Sequence, residues 1–309
     1  MSRFSKPLTA ARLNDAILGS FALVKPSHTL DHLIRYLSTW SGSDKLFMVL
    51  QYTLKLVAPF LHLRARLQHR AGLRTTSTSG TALGYEKLAG ILGDSRTLWR
   101  LWGLLPIFQW LISVERNPPA TRKLLTIERL QGWSMLAYYP LEHLSYLGSH
   151  GIIPTTIPSP TTIFSSKKKF ISLDPGKLGM WSCRCWAVYV ALQFVHLVED
   201  RKLLKQRHNS IRKAKGTGLT REEKFEMQQR SDAFWSEAVT NLGYLPLTIH
   251  WSLEKGIFKN DIWVSIFSLI AAVASFRTGW KATALPPPPE LKEKTNTTPD
   301  NVAPYDMST

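Results

Sequence analysis

The sequence has only two cysteines, and it lacks the common signatures of catalytic and nucleotide-binding sites. Cys183 and Cys185 stand one residue apart, a spacing that fits neither a disulfide framework nor a zinc or redox pair. The chain contains no HExxH, GxGxxG, GxxxxGK[ST] or GxSxG pattern, and its nine histidines form no metal-ligand series. We therefore expect a protein that is not an enzyme, has no metal or cofactor, and keeps its thiols reduced.

Acidic residues are missing from a long stretch of the chain and scarce overall. None occurs between Lys45 and Tyr85, and the whole chain carries 39 Lys and Arg against 22 Asp and Glu, a formal net charge of +17. Such a balance predicts a polyanionic partner, either nucleic acid or an anionic membrane. The 11 tryptophans favour the membrane, because indole is enriched at the level of the lipid headgroups.

Two segments between Lys45 and Leu105 have the periodicity of amphipathic helices. In the first, the apolar side consists of Leu46, Val49, Leu50, Thr53, Leu56, Val57, Phe60 and Leu67, and the opposite side of Gln51, Lys55, His62, Arg66 and His69. In the second, the apolar stripe consists of Leu88, Ile91, Leu92, Trp99, Trp102 and Leu105, with Lys87, Arg96 and Arg100 beside it. Such helices can lie in a membrane interface, and packing on an ordinary protein core is the alternative.

The best candidate for a membrane-spanning helix has only 15 apolar residues. Residues 262–276 would reach about 22 Å as a helix, short of the roughly 30 Å hydrocarbon core. Extension to Trp280 adds length and leaves Trp263 and Trp280 as interfacial anchors. Ser265, Ser268 and Ala272 form a small-residue stripe that would permit close helix packing in lipid, and a buried core helix is the alternative. For residues 177–198 we favour an embedded or interfacial helix over a crossing, because Arg184 would lie deep in the bilayer.

The patterns together predict an all-α, membrane-associated helical bundle with interfacial amphipathic helices and one C-terminal transmembrane helix candidate. Residues 28–281 would form this domain, between an N-terminal tail (1–27) and a disordered tail (282–309). Inside it we expect a flexible linker at 75–82, a loop at 152–166, and a basic insert at 199–230 that is either a solvated helix or a disordered loop. The first residues lack the features of a signal peptide, so synthesis in the cytosol is expected.

Smaller signals concern the ends and breaks of helices. Thr29–Trp40 reads as a helix, followed by a turn at residues 41–44 in which Ser43 or Asp44 would cap the next helix. Pro59 should kink or split the helix that contains it, and Pro246 should interrupt its helix. Glu142 and His143 are expected on the polar rim of a helix rather than in an acid–base site.

Five short motifs resemble, in order, those of the peroxin-11 family of peroxisomal membrane-remodelling proteins. They are DKLFMVLQYTLKLV from Asp44, DSRTLWRLW from Asp94, MLAYYPLEHLSYLG from Met135, KLGMWSCRCWAVYVAL from Lys177 and NLGYLPLTIHW from Asn241. Glu142 and Gly243 stand where the family usually has Asp. The resemblance spans residues 28–281, and the basic insert points to the gamma-like, fungal C-type branch.

The resemblance implies a peroxisomal membrane protein that elongates the membrane by inserting an amphipathic helix and so promotes peroxisome proliferation and fission. It places membrane insertion on Leu88, Ile91, Leu92, Trp99, Trp102 and Leu105, and headgroup contact on Lys87, Arg96 and Arg100. Partners would be an anionic phospholipid membrane, further copies or related peroxins, a fission adaptor and a dynamin-like GTPase, with no nucleic acid. A peroxisomal membrane pore or metabolite transporter is the alternative function, and a soluble basic scaffold or nucleic-acid binder is a third class.

Overall fold

The computed structural model describes residues 24–154, 156–158, 170–215 and 220–285, together with six positions before residue 24. Within these residues the chain is almost entirely helical, which confirms the all-α prediction. The helices are α1 His28–Leu37, α2 Trp40–Arg70, α3 Gly80–Trp99, α4 Leu104–Arg116, α5 Arg122–Ser149, α6 Pro175–Lys215, α7 Arg221–Ser252 and α8 Asp261–Ala282. A 3₁₀ turn, Arg100–Gly103, joins α3 to α4. Most of the predicted tail at 282–309 lies outside the described residues.

The predicted loop at 152–166 contains a strand that the sequence pattern did not indicate. Strand β1, Thr156–Pro158, pairs antiparallel with β2, Phe170–Ser172, with Thr156 opposite Ser172. The basic insert is helical wherever it is described, because α6 continues to Lys215 and α7 begins at Arg221. Thr220 caps α7 reciprocally with Glu223, a capping box that satisfies two backbone N–H groups.

The start of α2 differs from the prediction. Thr39, not Ser43 or Asp44, is the N-cap, and its hydroxyl accepts a hydrogen bond from the Gly42 backbone N–H at 3.0 Å. Gly42 is needed there because a Cβ atom at this position would lie 2.1 Å from the Tyr36 carbonyl oxygen. The expected turn at residues 41–44 is therefore the first turn of the helix itself.

Three helices contain a proline in their interior. Pro59 lies in α2, Pro140 in α5 and Pro246 in α7, and each helix continues past it. The predicted interruption at Pro246 is therefore wrong, and Pro59 does not split α2. Helices packed in membrane bundles tolerate proline because neighbouring groups satisfy the freed carbonyls.

The bundle is built from long helices that pack in pairs. The most extensive contacts join α5 to α6, α2 to α3, α8 to both α7 and α2, and α6 to α7. Met48 and Tyr52 of α2 meet Ala271 and Ala272 of α8 in the apolar centre. Gly243 of α7 allows the closest approach, since a Cβ there would lie 2.9 Å from the Ala271 backbone nitrogen and the Phe267 carbonyl oxygen. Small residues thus set the spacing of the helices.

The bundle encloses several polar side chains and leaves many large apolar side chains exposed. Buried polar residues include Gln51, Gln131, His143, Ser182, Thr240, Asn241, Thr248, Ser265 and Ser268. Part of the apolar stripe predicted on α2 is exposed, namely Leu50, Val57, Phe60 and Leu67, whereas Leu46, Val49 and Leu56 are partly buried. Met48, Gln51, Ala58 and Ala65 of the same helix are buried. Contiguous exposed apolar surface of this kind marks contact with lipid or with another protein.

Two helices in the described part of the chain are long and apolar enough to cross a membrane: α2 and α8. Of the apolar windows, 22% in α2 and 28% in α8 is buried within the protein, so most of each window is at least partly accessible from outside the bundle. The 22 residues of α8 reach about 33 Å, enough to span the hydrocarbon core. The amphipathic pattern of α2 predicted an interfacial helix or a helix packed on a protein core, and not a span.

Candidate functional site

Large apolar side chains form a continuous exposed stripe along α3, the 3₁₀ turn and α4. Leu88, Ile91, Trp99, Trp102 and Leu105 are between 46% and 66% exposed, whereas Leu92 is partly buried. The opposite face of α3 carries small residues: Ala82 and Ala89 are fully buried, and a Cβ at Gly93 would lie 2.4 Å from the side-chain nitrogen of Gln51 in α2. Small residues hold α3 against α2, and its large residues are left to face outward.

The 3₁₀ turn keeps the stripe aligned between the two helices. A 3₁₀ helix has three residues per turn, so Trp99, Trp102 and Leu105 lie on one line. Gly103 permits the turn to press against α5, because a Cβ at this position would lie 2.2 Å from a ring carbon of Tyr139. Phe108 and Ile112 of α4 are also about half exposed and extend the stripe. Sequence reasoning missed these two, although they continue the spacing from Leu105.

The three predicted headgroup residues have different surroundings. Lys87 is exposed, and within the described residues it forms no ion pair. Arg96 points toward α2, where its Nε lies 2.8 Å from Asp44 Oδ1 and its Nη1 donates to Gln51 Oε1 at 2.8 Å. Headgroup contact by Arg96 therefore stays a prediction that its contacts do not favour, since the guanidinium is already held inside the bundle.

Arg100 is also held by the protein. Its Nη2 lies 3.1 Å from Glu142 Oε1, and its Nη1 donates to the Tyr138 hydroxyl at 3.2 Å. Tyr138 in turn donates to Glu142 Oε1 at 2.6 Å. Burial lowers the pKa of Arg100, but the neighbouring Tyr138 and Glu142 raise it more, so the guanidinium stays charged. Burial raises the pKa of Tyr138, which keeps its hydroxyl available as a donor.

Glu142 and His143 thus lie inside the bundle rather than on its rim. The side chain of Glu142 is 15% exposed and faces Arg100, while His143 is buried against Tyr139. Arg100, the ion-pair partner of Glu142, is 42 residues away in sequence, so no local pattern could have identified the contact. The effect is to anchor the 3₁₀ turn to α5, so that the apolar stripe has a fixed orientation.

The small-residue stripe of α8 lies in a helix interface. Ser265, Ser268 and Ala272 are all buried, and Ala272 belongs to the cluster with Met48 and Tyr52. Further along the helix, the Ser275 hydroxyl donates to the Ala271 carbonyl oxygen at 2.8 Å. That these residues pack α8 within a lipid bilayer stays a prediction.

A ladder of polar side chains joins α5, α6 and α7, and the sequence analysis did not anticipate it. Gln131 donates to Gln193, which donates to Glu237 Oε1 at 3.0 Å, and Asn241 donates to the same oxygen at 3.1 Å. Further along the same helices, Arg184 of α6 donates to the Ser252 carbonyl oxygen of α7 at 3.2 Å and lies over the Trp181 ring. These mutual contacts satisfy polar groups that would otherwise be costly to bury.

Neither metal nor thiol chemistry is organised in the part of the chain that the structure describes. No group of three or more His, Cys, Asp and Glu side chains is arranged to hold a metal ion there. Both cysteines are free, and burial raises the pKa of Cys183 to about 11. A thiol with a raised pKa is a poor nucleophile at neutral pH.

Comparison with known proteins assigns the chain to a family. The family model for peroxisomal biogenesis factor 11 matches residues 30–280. An uncharacterized protein of Schizosaccharomyces pombe is 23% identical over 214 residues, which cover 69% of this chain and 83% of that one. No solved structure matches the chain. With a family match across the whole helical bundle and an apolar outer surface, the chain belongs to the peroxisomal biogenesis factor 11 family and is a peroxisomal membrane protein involved in peroxisome proliferation.

Proposed function

We propose that this chain elongates the peroxisomal membrane by inserting the apolar stripe of α3, the 3₁₀ turn and α4 into one leaflet. The observation that carries the proposal is the stripe itself: five of its six predicted residues are exposed, and two of these are tryptophans. An amphipathic helix lying in the interface adds area to one leaflet only, and that asymmetry favours curvature. No catalytic step is involved.

Two arginines support the proposal by acting as anchors. Arg96 ties α3 to Asp44 of α2, and Arg100 ties the 3₁₀ turn to Glu142 of α5. We call the inserted stripe of α3, the 3₁₀ turn and α4 the wedge. Because the wedge is fixed to membrane-embedded helices, it cannot rotate away from the lipid that it displaces. We therefore assign headgroup contact mainly to Lys87 and to the basic C-terminal part of α2, which includes Arg64, Arg66 and Arg70.

Curvature on the scale of an organelle needs many copies. We therefore propose self-association or association with related peroxins through the exposed apolar faces, followed by recruitment of a fission adaptor and a dynamin-like GTPase. The family membership motivates these partners, and the exposed apolar surface supplies area on which copies could pack.

Reconstitution tests the wedge directly. Full-length protein in liposomes that contain anionic lipid should produce tubules visible by electron microscopy, and Trp99→Asp with Trp102→Asp should abolish them, because a carboxylate in the interface opposes insertion. Leu83→Asp with Gly90→Asp is the matched control: it adds the same charge to α3, but both sites lie outside the stripe and a Cβ at Gly90 meets no atom within 4 Å. Tubules formed by the tryptophan variant would show that the wedge lies elsewhere.

A pore or metabolite transporter is the second candidate, and the polar ladder of α5, α6 and α7 is the observation that favours it. The ladder places Glu237 and two glutamines between helices of the bundle. Conductance of the purified protein in planar bilayers that is lost in Glu237→Leu would support this function. Vesicle deformation without conductance would support the wedge.

A further inference from the structure

A long apolar groove runs along the outer face of α8, on a different side of the bundle from the stripe. Its volume is about 1560 Å³, and its walls come from α7 and α8 with single contributions from α1 and α2. On the α8 wall Ile266, Ile270 and Val273 follow one another at helical spacing, and Trp235 and Val239 face them from α7. Trp235 is 60% exposed and Val273 is 51% exposed, so the groove is open along its length.

The charged residues of the groove are confined to one end. Asp232, Arg277 and Lys281 all line that end. Lys281 Nζ lies 2.8 Å from Asp232 Oδ2, and its hydrogen bond and charge, with a further contribution from Arg277, lower the pKa of Asp232. Within the described residues Arg277 forms no hydrogen bond or ion pair, and its side chain is exposed. The end of the groove therefore carries one uncompensated positive charge.

The same end is held rigid by α1. The His32 Nε2 atom lies 3.0 Å from the Trp280 carbonyl oxygen, and Arg35 donates to the Thr283 carbonyl oxygen at 2.9 Å. These contacts occupy carbonyl groups at the C-terminus of α8, which lack partners within the helix. The rings of His32 and Trp280 lie 3.8 Å apart. Arg277 is thus presented from a fixed helix end.

The length of the groove matches the depth of one leaflet of the hydrocarbon core. From Arg277 to Ile266 the helix rises 11 residues, or about 16 Å, close to half of the roughly 30 Å hydrocarbon core. A phosphate at Arg277 would therefore place its acyl chains along Val273, Ile270 and Ile266. We propose that this groove is a binding site for one anionic phospholipid of the surrounding bilayer, with its phosphate on Arg277 and its chains between α7 and α8.

Native mass spectrometry of the full-length protein, released from nanodiscs that contain equal amounts of phosphatidic acid and phosphatidylcholine, tests the site. The wild type should retain one phosphatidic acid in preference to phosphatidylcholine. In Arg277→Gln the retained fraction should fall about tenfold, as expected for losing one charge-assisted hydrogen bond, and Arg277→Lys should restore part of it. Val273→Trp should remove the lipid by filling the groove.

Arg201→Gln is the matched control, because it removes an exposed cation of α6 that forms no ion pair within the described residues, and it should leave retention unchanged. Circular dichroism of each variant shows whether the bundle is intact.

Equal retention in Arg277→Gln and wild type would overturn the proposal. The proposal would also be overturned if the wild type carried a second polypeptide instead of a lipid and Val273→Trp lost that polypeptide. The groove would then be a protein interface. Because the stripe is untouched in these variants, vesicle tubulation should persist, which separates this proposal from the wedge.

Discussion

At the scale of single residues, the bundle depends on charged groups that find partners inside it. The sequence pattern identified the exposed residues of the stripe correctly, because apolar periodicity is a local property. It could not identify the partners of Arg96 and Arg100, because Asp44 and Glu142 are 52 and 42 residues away along the chain. Both arginines lie beside the stripe on a helical wheel, where headgroup contact and contact with a neighbouring helix look alike.

The pair of Arg100 and Glu142 yields a prediction about stability. Glu142→Gln should lower the free energy of unfolding by about 2–3 kcal/mol, because Arg100 would keep its charge and lose its carboxylate partner. Thermal unfolding in detergent measures the change. Arg100→Gln combined with Glu142→Gln should cost less than the sum of the single changes; additive costs would show that the two groups do not interact.

His196 yields a prediction about pH. It lies 3.0 Å from Asp200 and 3.3 Å from Glu128, and mainly the contact with Asp200 raises its pKa above the ordinary 6.5. The stabilisation is complete below pH 6.5 and is lost as the pH rises through the raised pKa of the folded state. The melting temperature should therefore fall as the pH rises above 6.5. His196→Gln should flatten this dependence, and an unchanged slope would contradict the assignment.

At the scale of elements, small residues decide which helix faces meet. Helix existence was predicted well, whereas helix ends and breaks were not. Thr39 displaced Ser43 and Asp44 as the cap because Gly42 allows a close approach to Tyr36. Helices α2 and α7 continue past Pro59 and Pro246, where flanking helices can support the freed carbonyl groups. The exposure of Leu50, Val57, Phe60 and Leu67 in α2 could not be read from periodicity, which identifies two faces but not how far each is buried.

The contact between α7 and α8 can be tested at Gly243. Gly243→Ala should destabilise the bundle by about 1–3 kcal/mol, because the added methyl group meets the α8 backbone rather than a movable side chain. Gly90→Ala is the control: a methyl group there meets nothing, so α3 should gain about 0.5–1 kcal/mol from the better helix former. Similar effects of the two changes would mean that the α7–α8 spacing is looser than described.

At the scale of the whole molecule, two exposed apolar helices and the enclosed polar side chains argue for integral membrane association. Composition had pointed to the membrane through charge and tryptophan, but it could not separate a peripheral protein from an embedded one. The separation comes from the tertiary arrangement, in which two apolar helices are mostly unburied while glutamine, asparagine and serine side chains are enclosed.

Carbonate extraction tests this arrangement. The protein should remain in the membrane pellet at high pH, because α2 and α8 expose apolar length sufficient to cross the bilayer. Trp99→Asp with Trp102→Asp should also remain in the pellet, since the stripe bends the membrane but does not anchor the chain. Release of the wild type into the supernatant would contradict integral association.

The outward-facing leucine, valine and phenylalanine side chains of α2 also affect the time before the protein reaches its organelle. In water, an exposed apolar surface of this kind associates with other apolar surfaces, and partly folded chains with such surfaces aggregate. We therefore expect that a chaperone binds α2 and α8 after synthesis and is released when these helices enter the lipid bilayer. Delivery, rather than folding, is then the step at which this protein is most vulnerable.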